Sequence, residues 1–250
     1  MKSVEEALNA VHAAQRQAGR PLAVILAGHN GAGKSTLWDK RLAPQLQLPL
    51  VNADRMMLSI LPEPDSKGLP PWARILRDTD TSWMRVAQRG VQAFIAEAMG
   101  QKVAFAMETV FSHAIKDASG RLLESKIDLV RQMQAAGYFV LLVFVGLSNV
   151  NLSIGRVISR RAQGGHDVPI DKLLKRFPLT QEVMRIAMSV ADACLLVDNS
   201  RGQKKAFTVC RVQVGTNPVY DIRNEGAVPT EIAEWLPCIS PPPQSSWLRR

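Results

Sequence analysis

Lys34 and Ser35 stand at the end of the stretch Gly28-His29-Asn30-Gly31-Ala32-Gly33-Lys34-Ser35-Thr36, whose spacing is GxxxxGK[ST]. Successive backbone N–H groups of such a loop point inward at an anion, and the following helix adds its positive N-terminal dipole. Lys34 supplies a point charge for the outer phosphates and Ser35 a hydroxyl ligand for magnesium, so the nine residues read as a nucleotide-phosphate cradle. Three carboxylates close apolar runs elsewhere: Asp54 after Leu50-Val51-Asn52, Glu108 after Val103 to Met107, and Asp198 after Cys194 to Val197. Passing a phosphoryl group to an alcohol requires one carboxylate to accept the hydroxyl proton, and cations to offset charge on the transferred group. Asp54 suits the first task. The cations are gathered at Arg156, Arg160, Arg161, Lys172, Lys175 and Arg176; Arg156 and Arg160 share a helix face, and Gly164-Gly165 supplies a hinge before His166-Asp167-Val168-Pro169. A basic lid of this kind excludes water and brings arginines to the γ-phosphate. An exposed basic helix serving only solubility is the plainer alternative.

Positioning these groups requires an alternation of strands and helices. Helical spacing at Val4, Ala7, Leu8, Val11 and Ala14 gives an N-terminal helix over residues 1–19. The first strand follows at 22–27, then the loop and a helix through Leu42. A second strand is expected at 50–52, a Pro-rich loop over 61–71, and one long or two consecutive helices from Trp72 to Met99, with Trp72 and Trp83 as packing residues. The third run is 103–107, a helix is expected from Leu122 to Ala136, and Phe139 to Val145 is the most strand-like segment. A helix from Thr180 to Val190 precedes the fifth run, 194–197, and Ala206 to Val214 suggests an edge strand. Five runs separated mostly by helices imply a parallel sheet covered on both faces. Ligands of such sheets bind beyond the carboxyl ends of the strands, where Asp54, Glu108 and Asp198 fall.

The 250 residues include 46% hydrophobic and 21% charged side chains, ordinary for a globular protein with a sizeable core. The longest apolar run, Tyr138 to Leu147, is too short to cross a bilayer, and the acidic start Val4-Glu5-Glu6 is unlike a secretory signal; a cytoplasmic protein is expected. Cys194, Cys210 and Cys238 lack metal-like spacing. The net charge of +9 suits an anionic partner without choosing one. A GTPase is not indicated, because no NKxD base-recognition box is present.

Taken in order, GHNGAGKST, VNAD, MET, RVxxRRxxGGHDVP and VDNS make residues 20 to 200 resemble the zeta toxin family of P-loop kinases. The resemblance implies an α/β fold, a P-loop NTPase kinase-like three-layer sandwich with a mainly parallel five- or six-stranded sheet and a helical lid. The expected organisation is an N-terminal helix (1–19), a kinase domain (20–205) with its lid at about 150–178, a packed C-terminal extension (206–236) and a flexible tail (237–250). Family members phosphorylate a sugar hydroxyl of UDP-N-acetylglucosamine with ATP and are held inactive by a small helical antitoxin. The resemblance also implies that Asp54 is the catalytic carboxylate, with Lys34, Arg160 and Arg176 offsetting charge; Arg161 is a close rival of Arg160. Gly28 through Thr36 hold ATP, Ser35 holds Mg2+, and Asp54, Arg55, Glu108, Thr109 and His113 face the acceptor. Arg55 stands where the family commonly has an acidic residue, and Val110-Phe111 where small polar residues are frequent. The expected activity is an ATP- and magnesium-dependent transfer to the hydroxyl of a small molecule. Alternatives are a polynucleotide 5′-hydroxyl kinase, an antibiotic kinase suggested by the core fold of chloramphenicol phosphotransferase, and a nucleotide-binding toxin acting mainly through a protein partner. Nucleic acid and membrane are not expected partners.

Overall fold

The apolar runs become strands because helix-forming segments cover both of their faces, so side chains pointing either way leave water. The computed structural model of the chain describes residues 3–66, 68–78, 81–120, 122–162 and 168–242. In order they form α1 (Val4–Ala18), β1 (Leu22–Gly28), α2 (Lys34–Leu37), a π-helical turn (Trp38–Leu42), α3 (Ala43–Leu46), β2 (Leu50–Val51), α4 (Ala53–Ser59), α5 (Pro71–Asp78), α6 (Thr81–Gln101) and β3 (Phe105–Thr109). Then follow β4 (Ala114–Lys116), β5 (Leu122–Ser125), α7 (Lys126–Ala135), β6 (Phe139–Gly146), α8 (Val150–Ala162), α9 (Ile170–Ala187), β7 (Ala193–Asp198), β8 (Thr208–Val214), β9 (Asn217–Asp221), α10 (Thr230–Ala233) and α11 (Leu236–Ile239).

The main sheet runs β2-β3-β1-β6-β7-β8-β9. Its first five strands are parallel and β8 and β9 are antiparallel. Alternate residues of β1 and β6 enter opposite cores. Ile25, Leu142 and Phe144 pack with Phe105, Val183 and Trp235, whereas Val24, Leu26, Leu141 and Val143 pack with Leu8, Leu37 and Trp38. The helix α1 is held on the second face by Ala7, Leu8 and Val11; Ser3 and Glu6 form a capping box at its start and Gly19 ends it at φ 63°. Among the described residues, no helix is long and apolar enough to cross a membrane.

Several expectations are corrected. The sheet has seven strands rather than five or six: β8 is interior, because β9 folds back on it through the turn at Gly215. The segment from Leu122 to Ser125 is a strand of a small hairpin with β4, not the start of a helix; α7 begins only after Ser125, whose hydroxyl accepts from the Ile127 N–H. The helix expected from Thr180 begins at Ile170, with Pro178 inside it. Pro178 and Leu174 are both exposed, so water can take the carbonyl that the missing proline N–H leaves free. Trp72 and Trp83 are 54% and 38% exposed rather than packed, because α6 buries Ala87, Ile95 and Ala98 instead. Part of the expected flexible tail is structure: α11 docks Leu236 and Ile239 into the core, and the buried Trp235 lies over Gly146, where a Cβ would come within 2.4 Å of the indole.

Candidate active site

The phosphate loop joins β1 to α2 at the carboxyl edge of the sheet. Its glycine before Lys34, Gly33, has φ 88°, and a Cβ there would come within 2.6 Å of the Asn199 amide nitrogen. Only glycine meets both demands. The Lys34 ammonium donates to the Gly28 and His29 carbonyls, both at 3.1 Å.

Register brings the carboxylates to this edge. Leu26 of β1 pairs with Glu108 of β3, and Val51 of β2 pairs with Met107, so Glu108 and the start of α4 lie in neighbouring positions. Ser35 Oγ donates to Glu108 Oε2 at 3.1 Å, and Glu108 Oε1 is 3.8 Å from Lys34 Nζ. Burial pulls the Lys34 pKa down; Glu108 and Asp54 act against that fall and Arg160 adds to it. Both Asp54 and Arg160 therefore lie within electrostatic reach of Lys34. Asn52 caps α4 by accepting from the Asp54 and Arg55 N–H groups, at 2.7 and 3.2 Å. The Asp54 side chain is exposed, and no hydrogen bond or ion pair among the described residues engages its carboxylate.

Other expected acceptor residues are placed differently. Arg55 forks onto both Asp39 oxygens, at 2.9 and 3.0 Å, tying α4 to the helical segment after the loop. Its departure from the family pattern thus has a partner on this chain. Phe111 is fully buried at φ 66°, where the chain reverses after β3, and the Thr109 hydroxyl accepts from its N–H at 3.2 Å. This residue belongs to the core, not to an acceptor pocket. His113 is exposed and sits 2.8 Å from Glu124 across the β4–β5 hairpin.

The lid is anchored at both ends. Ser153 of α8 donates to the Asn30 carbonyl at 2.7 Å, and Phe177 of α9 stacks on His29 with ring centres 3.7 Å apart. Between these anchors Val157, Val168 and Leu173 form a small apolar cluster of their own. Arg160 is exposed on α8 and Arg176 is half-buried on α9. The hinge expected at Gly164-Gly165 and the neighbouring His166 lie outside the described residues. His29 itself is buried, its Nε2 has no hydrogen-bond partner among the described residues, and burial together with Lys34 lowers its pKa to about 3. Sequence pattern gave no sign of this stack.

Asp198 is not a second catalytic carboxylate. It is fully buried and accepts from the Ser200 hydroxyl at 2.6 Å and the Trp235 indole at 3.0 Å, with Arg201 at 3.4 Å. Asn199 donates to the Ala32 carbonyl at 2.8 Å and borders a cleft of about 580 Å³ beside the loop. Among the described residues no cluster of histidine, cysteine and acidic side chains suits a metal held by protein alone. The Ser35 hydroxyl beside Glu108 is the arrangement that fits a magnesium ion shared with phosphate oxygens.

A loop of this pattern between β1 and α2, in a sheet ordered β2-β3-β1-β6-β7, defines a P-loop protein of the kinase-like type. The Zeta toxin family model matches residues 5–204, and the chain belongs to that family. No curated protein sequence matches it. Among solved structures it is similar to a chain of the PezAT chromosomal toxin-antitoxin system of Streptococcus pneumoniae, with 12% identity and a TM-score of 0.54 over 96% of this chain and 89% of that one. It is also similar to a chain of the AvrRxo1-ORF1:ORF2 complex with ATP, at 14% identity and a TM-score of 0.58 over 99% of this chain and 72% of that one. A form of that complex with sulfate ions gives 15% and 0.58, over 98% and 72%.

Proposed function

We propose that this protein is a cytoplasmic phosphotransferase that moves the γ-phosphate of ATP to a hydroxyl of a small molecule, with UDP-N-acetylglucosamine as the first acceptor to test. The observation that carries this reading is Glu108 set against the phosphate loop, accepting from Ser35 at 3.1 Å and lying 3.8 Å from the buried Lys34 ammonium. ATP in a structural neighbour supports the choice of donor. Residues 28–36 hold the phosphates, and the nucleoside extends toward the cleft beside Asn199. Ser35 and Glu108 form the side that takes Mg2+, which when bound neutralises charge on the phosphate oxygens.

In the transfer step Asp54 accepts the acceptor's hydroxyl proton, the alcohol oxygen bonds to the γ-phosphorus, and the bond to the β-phosphate oxygen breaks to leave ADP. Lys34, released from the Gly28 and His29 carbonyls, and Arg160 and Arg176 from the lid offset the charge that develops. Thr109 borders the acceptor side. The Asp54 carboxylate is exposed and has no hydrogen bond or ion pair among the described residues, which supports its role as base.

The toxin-antitoxin system of the PezAT neighbour supports an antitoxin as a partner of this chain as well. Radiolabelled ATP, UDP-N-acetylglucosamine and the Asp54→Ala variant test the proposal. Labelled sugar nucleotide should form with the wild type, and the variant should lose at least about a hundredfold in kcat. Wild-type turnover by the variant removes Asp54 from the mechanism, and absence of label in the sugar nucleotide removes that acceptor.

A further inference from the structure

The cleft of about 580 Å³ is lined by Thr36, Lys40 and Arg41 after the loop, by Arg156 of α8, and by residues of the segment 199–207 after β7. Phe207 is among the lining residues and lies beyond the residues matched to the family. Phe207 has φ 58°, a left-handed backbone that phenylalanine rarely adopts. Such strain persists only where the surroundings hold it, and it gathers at ligand-binding sites. Here the surroundings are identifiable: the ring packs partly on the apolar core beneath β1, and its edge meets the phosphate loop, with Cε1 and Cζ each 3.6 Å from where a Cβ of Gly33 would be. The rest of the ring borders the cleft and stays half-exposed.

Gly33 immediately precedes Lys34, so a ligand whose phosphates fill the loop and whose remaining part enters the cleft must pass this ring. Two of the polar groups that line the cleft are already committed. The Asn199 amide donates to the Ala32 carbonyl, and Arg201 is bonded to Asp198 and Thr208. What Phe207 offers is a flat apolar surface, and any nucleobase has a π-face to lay on it.

The geometry points to Phe207 as the aromatic wall of the nucleoside pocket, a specificity-determining residue that makes the loop prefer nucleoside triphosphates to bare polyphosphate. This rests on the reading of the loop as the donor site and names what the C-terminal extension contributes to it. A stacked base adds about tenfold or more in affinity, and more for a purine than a pyrimidine because more surface is covered.

Calorimetric titration of the full chain with ATP, CTP and inorganic tripolyphosphate tests the assignment. The wild type should bind ATP about tenfold or more tighter than tripolyphosphate, with CTP between them. Phe207→Gly removes the ring and relieves the backbone, so the fold should persist by circular dichroism while the ATP advantage collapses and tripolyphosphate affinity holds within about twofold. Phe207→Asn, which also tolerates a left-handed backbone, should behave alike, and Phe207→Tyr should restore the preference. Retention of the ATP advantage in the glycine and asparagine variants overturns the assignment and leaves the donor reading intact. Equal loss of ATP and tripolyphosphate also overturns it, because the ring would then only support the loop. A wild type that binds ATP no better than tripolyphosphate overturns the assignment as well, and one that binds neither removes the donor reading itself.

Discussion

Replacing His29 by phenylalanine isolates a proton-linked part of this protein's stability. The imidazole is stacked on Phe177 and meets the edge of Phe144, and in the folded chain its pKa is lowered to about 3 from the ordinary 6.5 by burial and the Lys34 charge. Below pH 6.5 the unfolded chain binds a proton there that the folded chain refuses, so stability falls as the pH drops from 6.5 toward 3. At pH 5 the loss from this residue is about 2 kcal/mol, growing to about 5 kcal/mol below pH 3. Carboxylates titrate over part of the same range, so the difference between wild type and His29→Phe is the quantity of interest. Phenylalanine keeps the stack and cannot titrate. Any packing cost of the larger ring is the same at each pH and cancels in the comparison. Urea unfolding at about pH 7 and about pH 5 should therefore show the wild type losing about 2 kcal/mol more than the variant. Equal losses in the two proteins would refute the reasoning, because His29 would then titrate alike in both states.

Glu108→Ala removes a carboxylate 3.8 Å from the buried Lys34 ammonium. The pair's gross attraction is about 4 kcal/mol at an effective dielectric of about 20, and stranding one buried partner typically costs about 3 kcal/mol. Chemical unfolding should show that loss without nucleotide and a smaller one with saturating ATP, whose phosphates give Lys34 a new counter-charge; equal losses in both conditions contradict the pairing. Gly146→Ala drives a Cβ to within 2.4 Å of Trp235, and thermal unfolding should show a loss of about 2 kcal/mol. Trp235→Ala should itself cost about 4 kcal/mol and make the Gly146 substitution nearly silent; additive losses would contradict that contact.

The phosphate loop was legible because its chemistry is local: glycine spacing, the lysine and the hydroxyl are adjacent in the chain. The carboxylates at Asp54 and Glu108 were legible because apolar runs mark strands, and parallel strands bring their ends to one edge. The parallel part of the sheet followed from the same runs. Other positions were not legible, since their meaning depends on partners far along the chain. Arg55 looks like an acceptor residue by position and Phe111 stands where small polar residues are frequent, yet one forks onto Asp39 and the other fills the core. His113 meets Glu124 because a hairpin, too short to announce itself, turns there.

The sequence by itself determined an anion-binding loop between strand and helix, its membership in a recognisable family pattern, and an alternation that builds a parallel sheet. Tertiary structure alone decided that Glu108 turns to Ser35 and Lys34, that Asp198 bonds to the Trp235 indole, and that Phe207 lines the cleft beside Gly33. The physical reason is range. Backbone preference and hydrophobic period act over a few residues, whereas which side chains meet is set by sheet register and by contacts such as that of Trp235 with Gly146 at the end of β6.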